Sequence, residues 1–372
     1  MTTRYVGIGG NDANSGLTWA LRKLTLNGVE DTPVAAGDTV YVGPGTYREL
    51  LTVDVSGTAG NPITYIGDYL GTNTDGIGGI VRITGSDNDQ TGTRANVIVA
   101  GGARNYRTFT GFVLDIQAAG ALMTANGNAC TNWIVQQCIF ASSGSQNCLT
   151  INSTSSSWTI QNCLFYGTNN SISFSHTSVV DNSGHLVSNC IFLSGNWGVQ
   201  ITRVGGITVK NCMFLSRSGL QVVTAITVGQ TITVNNCLFL NENVALSGTV
   251  SGEIIENYNN FIGNATDRTN TATGANSLAY AISLDTRWFF NAIYSSQAAK
   301  LIMPFDLASY SQLLDVAGTS PSTTDLRGTA VQGAQREWGA LEYDSTLKAM
   351  GGFIKTASGL PLTNIKTING LA

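Results

Sequence analysis

Five times between residues 133 and 239 the chain runs through the same alternation of apolar and polar positions and closes it on Cys, an apolar residue and Phe. The closing phrases are Cys138-Ile139-Phe140, Cys163-Leu164-Phe165, Cys190-Ile191-Phe192, Cys212-Met213-Phe214 and Cys237-Leu238-Phe239. Three residues before each cysteine stand Val135, Ile160, Val187, Val209 and Val234; five before stand Trp133, Trp158, His185, Ile207 and Ile232. Alternate residues of a strand share a face, so both positions point into one core. The residue just before the cysteine, Gln137 and then Asn162, Asn189, Asn211 and Asn236, breaks the alternation. Asn tolerates the left-handed backbone region better than other non-glycine residues, so this position predicts a tight corner between two short strands. Beyond it Cys and Phe point inward again.

The cysteines fall 25, 27, 22 and 25 residues apart. That is the length of one turn of a coiled β-solenoid, in which each repeat stacks on its neighbour. Stacking sets Asn162, Asn189, Asn211 and Asn236 above one another, where side-chain amides hydrogen-bond along the stack. It also builds a column from Cys138, Cys163, Cys190, Cys212 and Cys237, acting as small hydrophobes. These columns resemble the right-handed parallel β-helix of the pectate-lyase type, with three sheets and an asparagine ladder at one corner. The resemblance implies an all-β, single-stranded solenoid.

The flanking phrases extend it. Gly10-Asn11-Asp12, Gly37-Asp38-Thr39-Val40 and Gly60-Asn61-Pro62-Ile63 follow in the order of the amino-terminal coils of β-helix proteins. Thr324-Asp325-Leu326-Arg327-Gly328 and Trp338-Gly339-Ala340-Leu341-Glu342-Tyr343 resemble their closing phrase. The predicted organisation is an entry and cap at 1–34, with a short capping helix near Leu17 to Leu26, coils over 35–262, terminal coils and a closing segment over 263–345, and an irregular tail at 346–372. The central part makes about nine coils, a rod of roughly 45 Å. A first coil left uncovered would expose unpaired strand edges, which is why a cap is expected.

Composition narrows the function. Charged residues make up 11% of the 372 residues, against a typical share of about 25%. With a net charge of -4 there is no basic stripe, so nucleic acid is not an expected partner. The seven cysteines show neither CxxC nor Cys/His metal spacing; they are read as free thiols, with no metal or cofactor expected. Neither a secretory signal nor a membrane span is recognisable, which implies folding in a reducing cytoplasm. Gly7-Ile8-Gly9-Gly10 lacks the strand-to-helix context of a nucleotide loop.

Catalytic material is thin. A glycoside hydrolase needs two carboxylates about 5 to 9.5 Å apart, yet Asp181 is the one acidic residue between Asp115 and Glu242. A lyase needs a base, and one constellation offers it: alignment on Cys190 and Cys212 sets Asp181 beneath Arg203, with His176 near in sequence. The plainer reading is a solvated ion pair between coils, worth about 0 to 1 kcal/mol. His185 falls at an inward position and is read as a core residue. Asp87 with Asp89, and Asp68 with Asp75, lie in oxygen-rich loops without the spacing of a calcium loop, and are read as solvated turns.

Three functions remain open. One is a non-enzymatic bacteriophage virion protein of the decoration, tailspike or fibre type: a homotrimeric rod folded in the host cytoplasm and attached to other virion proteins, for which residues 346–372 are the candidate anchor. Another is a polysaccharide lyase or hydrolase with a site between subunits. The third is a non-catalytic adhesin for a host glycan. The scarcity of acids favours the first.

Overall fold

The computed structural model describes residues 1–280, apart from Pro33, Ser143, Gly144, Ser153, Asp181 and Asn182. The closing phrase at 324–343 and the tail at 346–372 lie outside the described residues.

The chain winds through three parallel sheets of 10, 10 and 9 strands, contributing one strand to each sheet per coil. It is a right-handed parallel β-solenoid of about nine turns with almost no helix. The first sheet carries the strands that precede the asparagine corner, the second those that follow it, and the third closes the coil. Register is carried by the repeat. Val135 pairs with Ile160, Ile160 with Val187, Val187 with Val209 and Val209 with Val234. Phe140, Phe165, Phe192, Phe214, Phe239 and Phe261 pair in the same way across the second sheet. A shift by one residue would turn every one of these side chains to the opposite face.

In-register stacking produces the columns. The six phenylalanine rings lie parallel, with centroids 4.6 to 5.2 Å apart. Such pairs add about 0.5 to 1.5 kcal/mol each beyond the area they bury. Behind the first sheet a second column runs Tyr65, Phe109, Trp133, Trp158 at 5.5, 5.6 and 4.7 Å. All seven cysteines are free and buried. Burial raises the thiol pKa of Cys138, Cys190 and Cys237, and takes Cys148 to about 12.

The corner behaves as its residues require. Gln137, Asn162, Asn189, Asn211 and Asn236 all have φ between 53° and 55°. Each N–H donates to the carbonyl preceding the next corner, as from Asn162 to Ser188 at 3.1 Å and from Asn211 to Asn235 at 3.0 Å. Asn189 Nδ2 donates to Asn162 Oδ1 at 3.2 Å, a rung of the ladder.

Among the described residues both ends of the hydrophobic column are polar. The capping helix is Leu26–Glu30, further along than the expected Leu17 to Leu26; Trp19–Leu21 forms only a 3-10 turn that buries nothing. The reason lies in the caps. Thr25 Oγ1 accepts the Gly28 N–H at 2.9 Å, and the Glu49 carboxylate accepts from the N–H groups of Leu26 and Asn27. Asn27 in turn donates to Leu50 O and accepts from Thr52 N–H, occupying the edge of the first strand of the third sheet. Glu30 enters the coil, where it takes two bonds of 2.8 Å from buried Arg107 and one of 2.7 Å from the Tyr65 hydroxyl.

At the far end Asn259 stands in the cysteine position and Glu256 pairs in register with Val234, so polar groups replace the apolar column. Asn259 Oδ1 accepts the Cys237 N–H at 2.8 Å, while its amide donates to Val234 O and to Glu256. Glu256 also accepts from Arg268, Gly274 N–H and the Ser277 hydroxyl.

Candidate functional site

Asp181 lies outside the described residues, so its pairing with Arg203 is not described. Arg203 closes the strand Trp197–Val204 with φ 60° and is half-buried. His176 sits in the strand Ile172–Val180 and is buried, with neither ring nitrogen hydrogen-bonded to protein. The imidazole faces the interior of the coil beside His185 rather than solvent. His185 takes the inward position next above Trp158, and its Nδ1 accepts the Trp158 N–H at 3.2 Å. Its ring lies 4.8 Å from Phe174 and 6.2 Å from His176. Burial lowers the pKa to about 4 for His176 and to about 3 for His185. Both imidazoles are neutral at physiological pH.

Among the described residues the densest ionisable cluster is on the outer face of the second sheet in the early coils. In the strand Val81–Thr84, Val81 and Ile83 face the core and Arg82 therefore faces out. The loop after this strand folds back to present Asp89. Arg82 Nη1 reaches Asp89 at 2.5 Å, and its Nε donates to Asp115, one coil on, at 2.7 Å. Arg48 binds Asp89 through both terminal nitrogens, at 3.0 and 2.6 Å. Arg94 holds Asp87 at 2.8 Å.

Hydrogen bonds from Arg48 and then Arg82 bring the Asp89 pKa down to about 2, and Arg94 lowers that of Asp87. A carboxylate so held accepts hydrogen bonds but does not deliver a proton near neutral pH. The two aspartates expected as solvated turn residues are thus also arginine partners. Asp68 and Asp75 build their own turns: Asp68 accepts from Asn73 N–H and Thr74 Oγ1, and Asp75 from Ile77 N–H. Among the described residues no three His, Cys, Asp or Glu side chains come together as a metal set. No helix among them is long and apolar enough to cross a membrane.

Among the described residues Tyr166 is the large aromatic residue most open to solvent, at 60%, on the outer face of the second sheet; Trp197 is half-buried. Neither the Glu30–Arg107–Tyr65 nor the Glu256–Asn259–Arg268 network follows from the repeat pattern. One signal for the first was present, since Arg107 holds the register position of Trp133, where an arginine demands a buried partner.

No protein-family model matches the chain, and no curated protein matches it. Solved structures do. A pectate lyase, Pel9A, is 16% identical over 92% of this chain and 97% of its own, with a TM-score of 0.50. A complex of XylC with xylose is 13% identical over 73% of this chain and 70% of its own, with a TM-score of 0.52. At such identity the likeness concerns the fold alone. In architecture, sheet order and corner chemistry, the chain has the fold of the right-handed parallel β-helix proteins.

Proposed function

We propose that this chain is a non-enzymatic structural rod of the bacteriophage virion-surface kind, acting as a homotrimer and attached to the particle through residues 346–372. The observation that carries the non-catalytic part is the disposition of ionisable groups among the described residues: both imidazoles are inside the coil, and Asp87, Asp89 and Asp115 on the early outer face are arginine partners. An unbroken phenylalanine column over six coils also suits a load-bearing role, because an interior packed in register deforms little. The virion setting draws on the free thiols, the scarcity of acids and the tail at 346–372, and the trimer on analogy with rods of that kind.

A second reading, a host-glycan adhesin, draws on Tyr166, whose exposed ring offers the kind of aromatic face on which sugars stack. The test is the mass of the purified full chain in solution, beside a screen for reducing sugars and unsaturated uronates released from bacterial polysaccharides. A trimer that releases nothing supports the structural reading. Released sugar moves the function to a depolymerase, and a monomer removes the trimer. Glycan binding without cleavage, lost in Tyr166→Ala, favours the adhesin.

A further inference from the structure

In the early coils the outer face of the second sheet carries two rows of side chains, because the residues flanking each inward position point away from the coil. One row runs Arg82, Val113, Ile139 and Leu164, and the other Asp115, Ala141 and Tyr166, each residue paired in register with the next. At Ala141 the surface drops. Its single methyl group lies between Asp115, one strand before it, and Tyr166, one strand after, and two strand steps set the backbones of those walls about 9.6 Å apart. Half-buried Ile139 and Leu164 line the notch along one side.

The two walls differ in chemistry. Tyr166 is exposed, so its ring meets solvent. Opposite, Arg82 and Asp115 are joined at 2.7 Å, with side chains 20% and 16% exposed. Arg82 also holds Asp89 through Nη1, so the pair is fixed before a ligand arrives and loses little freedom on binding. Its Nη2 takes part in neither contact. Asp115 Oδ1, although shielded, has no hydrogen-bond partner, which leaves that carboxylate short of a donor. Across the whole cluster Arg48, Arg82 and Arg94 are matched by Asp87, Asp89 and Asp115, so the wall has no net charge.

These features select a ligand. An apolar ledge with a few placed polar groups is the ordinary make-up of a small-molecule site. A pyranose has a C–H face that stacks on an aromatic ring and rim hydroxyls that each donate and accept, which suits Tyr166 on one wall and an arginine beside a carboxylate on the other. A balanced wall gives an acidic sugar no net attraction. An added peptide strand would need an open sheet edge, and the strands Val113–Asp115, Ile139–Ala141 and Leu164–Gly167 are paired on both edges. We propose that the notch at Ala141 binds a neutral, hydroxyl-rich glycan, with one sugar on Tyr166 and the next against Arg82 and Asp115. The inference rests on the adhesin reading above and gives it a site and a ligand class.

The test is affinity electrophoresis of the full chain in gels containing dextran, galactomannan or xylan, with polygalacturonate as the acidic counterpart. Tyr166→Ala removes one wall, Asp115→Asn alters the other, and Ala141→Phe fills the notch; Thr208→Ala, on the outer face of the first sheet, is the control. Melting curves check that each variant is folded, and where one is not, the other two carry the test. The expected result is retardation by at least one neutral polysaccharide, with the apparent Kd raised about tenfold or more in each of the three variants and unchanged in Thr208→Ala. Retardation by polygalacturonate alone overturns the neutral class. Loss in Tyr166→Ala alone reduces the site to a single ring and overturns the notch. Retardation that survives all three variants overturns the site and leaves the adhesin reading standing, whereas no retardation in any gel removes both.

Discussion

The second sheet presents two different outer faces over one inner face. Inward, the coils from Phe140 to Phe261 are near copies, ring upon ring. Outward, the early coils carry Arg82 and Asp115 in an open ionic cluster, whereas the later coils carry Ile191, Met213 and Leu238 sealed from water. The difference separates two demands on a solenoid sequence. The interior must repeat, because each side chain packs on its equivalent in the next coil. The exterior is free to vary, so its changes along the axis record what each stretch of rod meets.

The sharpest way to break this comparison is a matched pair of substitutions at outward positions. Leu238→Asp should cost about 3 to 5 kcal/mol, because it buries an uncompensated charge. Ile139→Asp should cost under about 1 kcal/mol at a half-buried site. Thermal melts of the two full-length variants check this, and equal losses would erase the distinction between early and late coils.

The shared interior has its own signature in acid. The folded pKa values of about 4 for His176 and about 3 for His185 lie below the ordinary 6.5. The unfolded chain therefore takes up protons first as pH falls, so stability is complete above about pH 6.5 and declines below it until the folded pKa is reached. The slope is up to about 1.4 kcal/mol per pH unit for each histidine. Denaturant midpoints between pH 7 and 4 should show the decline, and His185→Phe should remove about half of it. A flat profile for the parent chain would mean that the imidazoles reach water.

At the corner, Asn211→Ala should cost about 1 to 2 kcal/mol, since alanine resists the left-handed backbone that asparagine accepts. A Gly variant at the same site should recover most of that loss; failure to do so would move the contribution from the backbone to the side-chain ladder. The smallest effect belongs to the early outer face. Asp89→Asn should leave the melting temperature nearly unchanged, with an even smaller effect in high salt, as expected of exposed ion pairs. A large loss there would mean that the loop at 85–96 depends on its ion pairs for its fold.

The repeat was legible because it is local and recurrent. The spacing of Cys138, Cys163, Cys190, Cys212 and Cys237, with Asn at the preceding position, carries the period, the corner and both faces of each strand. The capping helix was less so: Thr25 supplies a helix start, but Glu49, which satisfies the N–H groups of Leu26 and Asn27, is brought there by a later coil. Of the candidate set, Arg203 and His176 lie among the described residues and Asp181 does not. His176 reads as one more polar residue in a Ser/Thr-rich run, and only the winding of the long strand Ile172–Val180 turns it inward.

The sequence by itself determined the coil, the register and the corner, because each depends on contacts between a residue and its equivalent about 25 positions away. The tertiary structure decided which charges meet. Glu30 finds Arg107 across 77 residues, and Arg48 finds Asp89 across 41. Such pairs fall outside the period, so no local pattern announces them. Only the stacked coils, with their cap and their returning loop, bring them within hydrogen-bond reach.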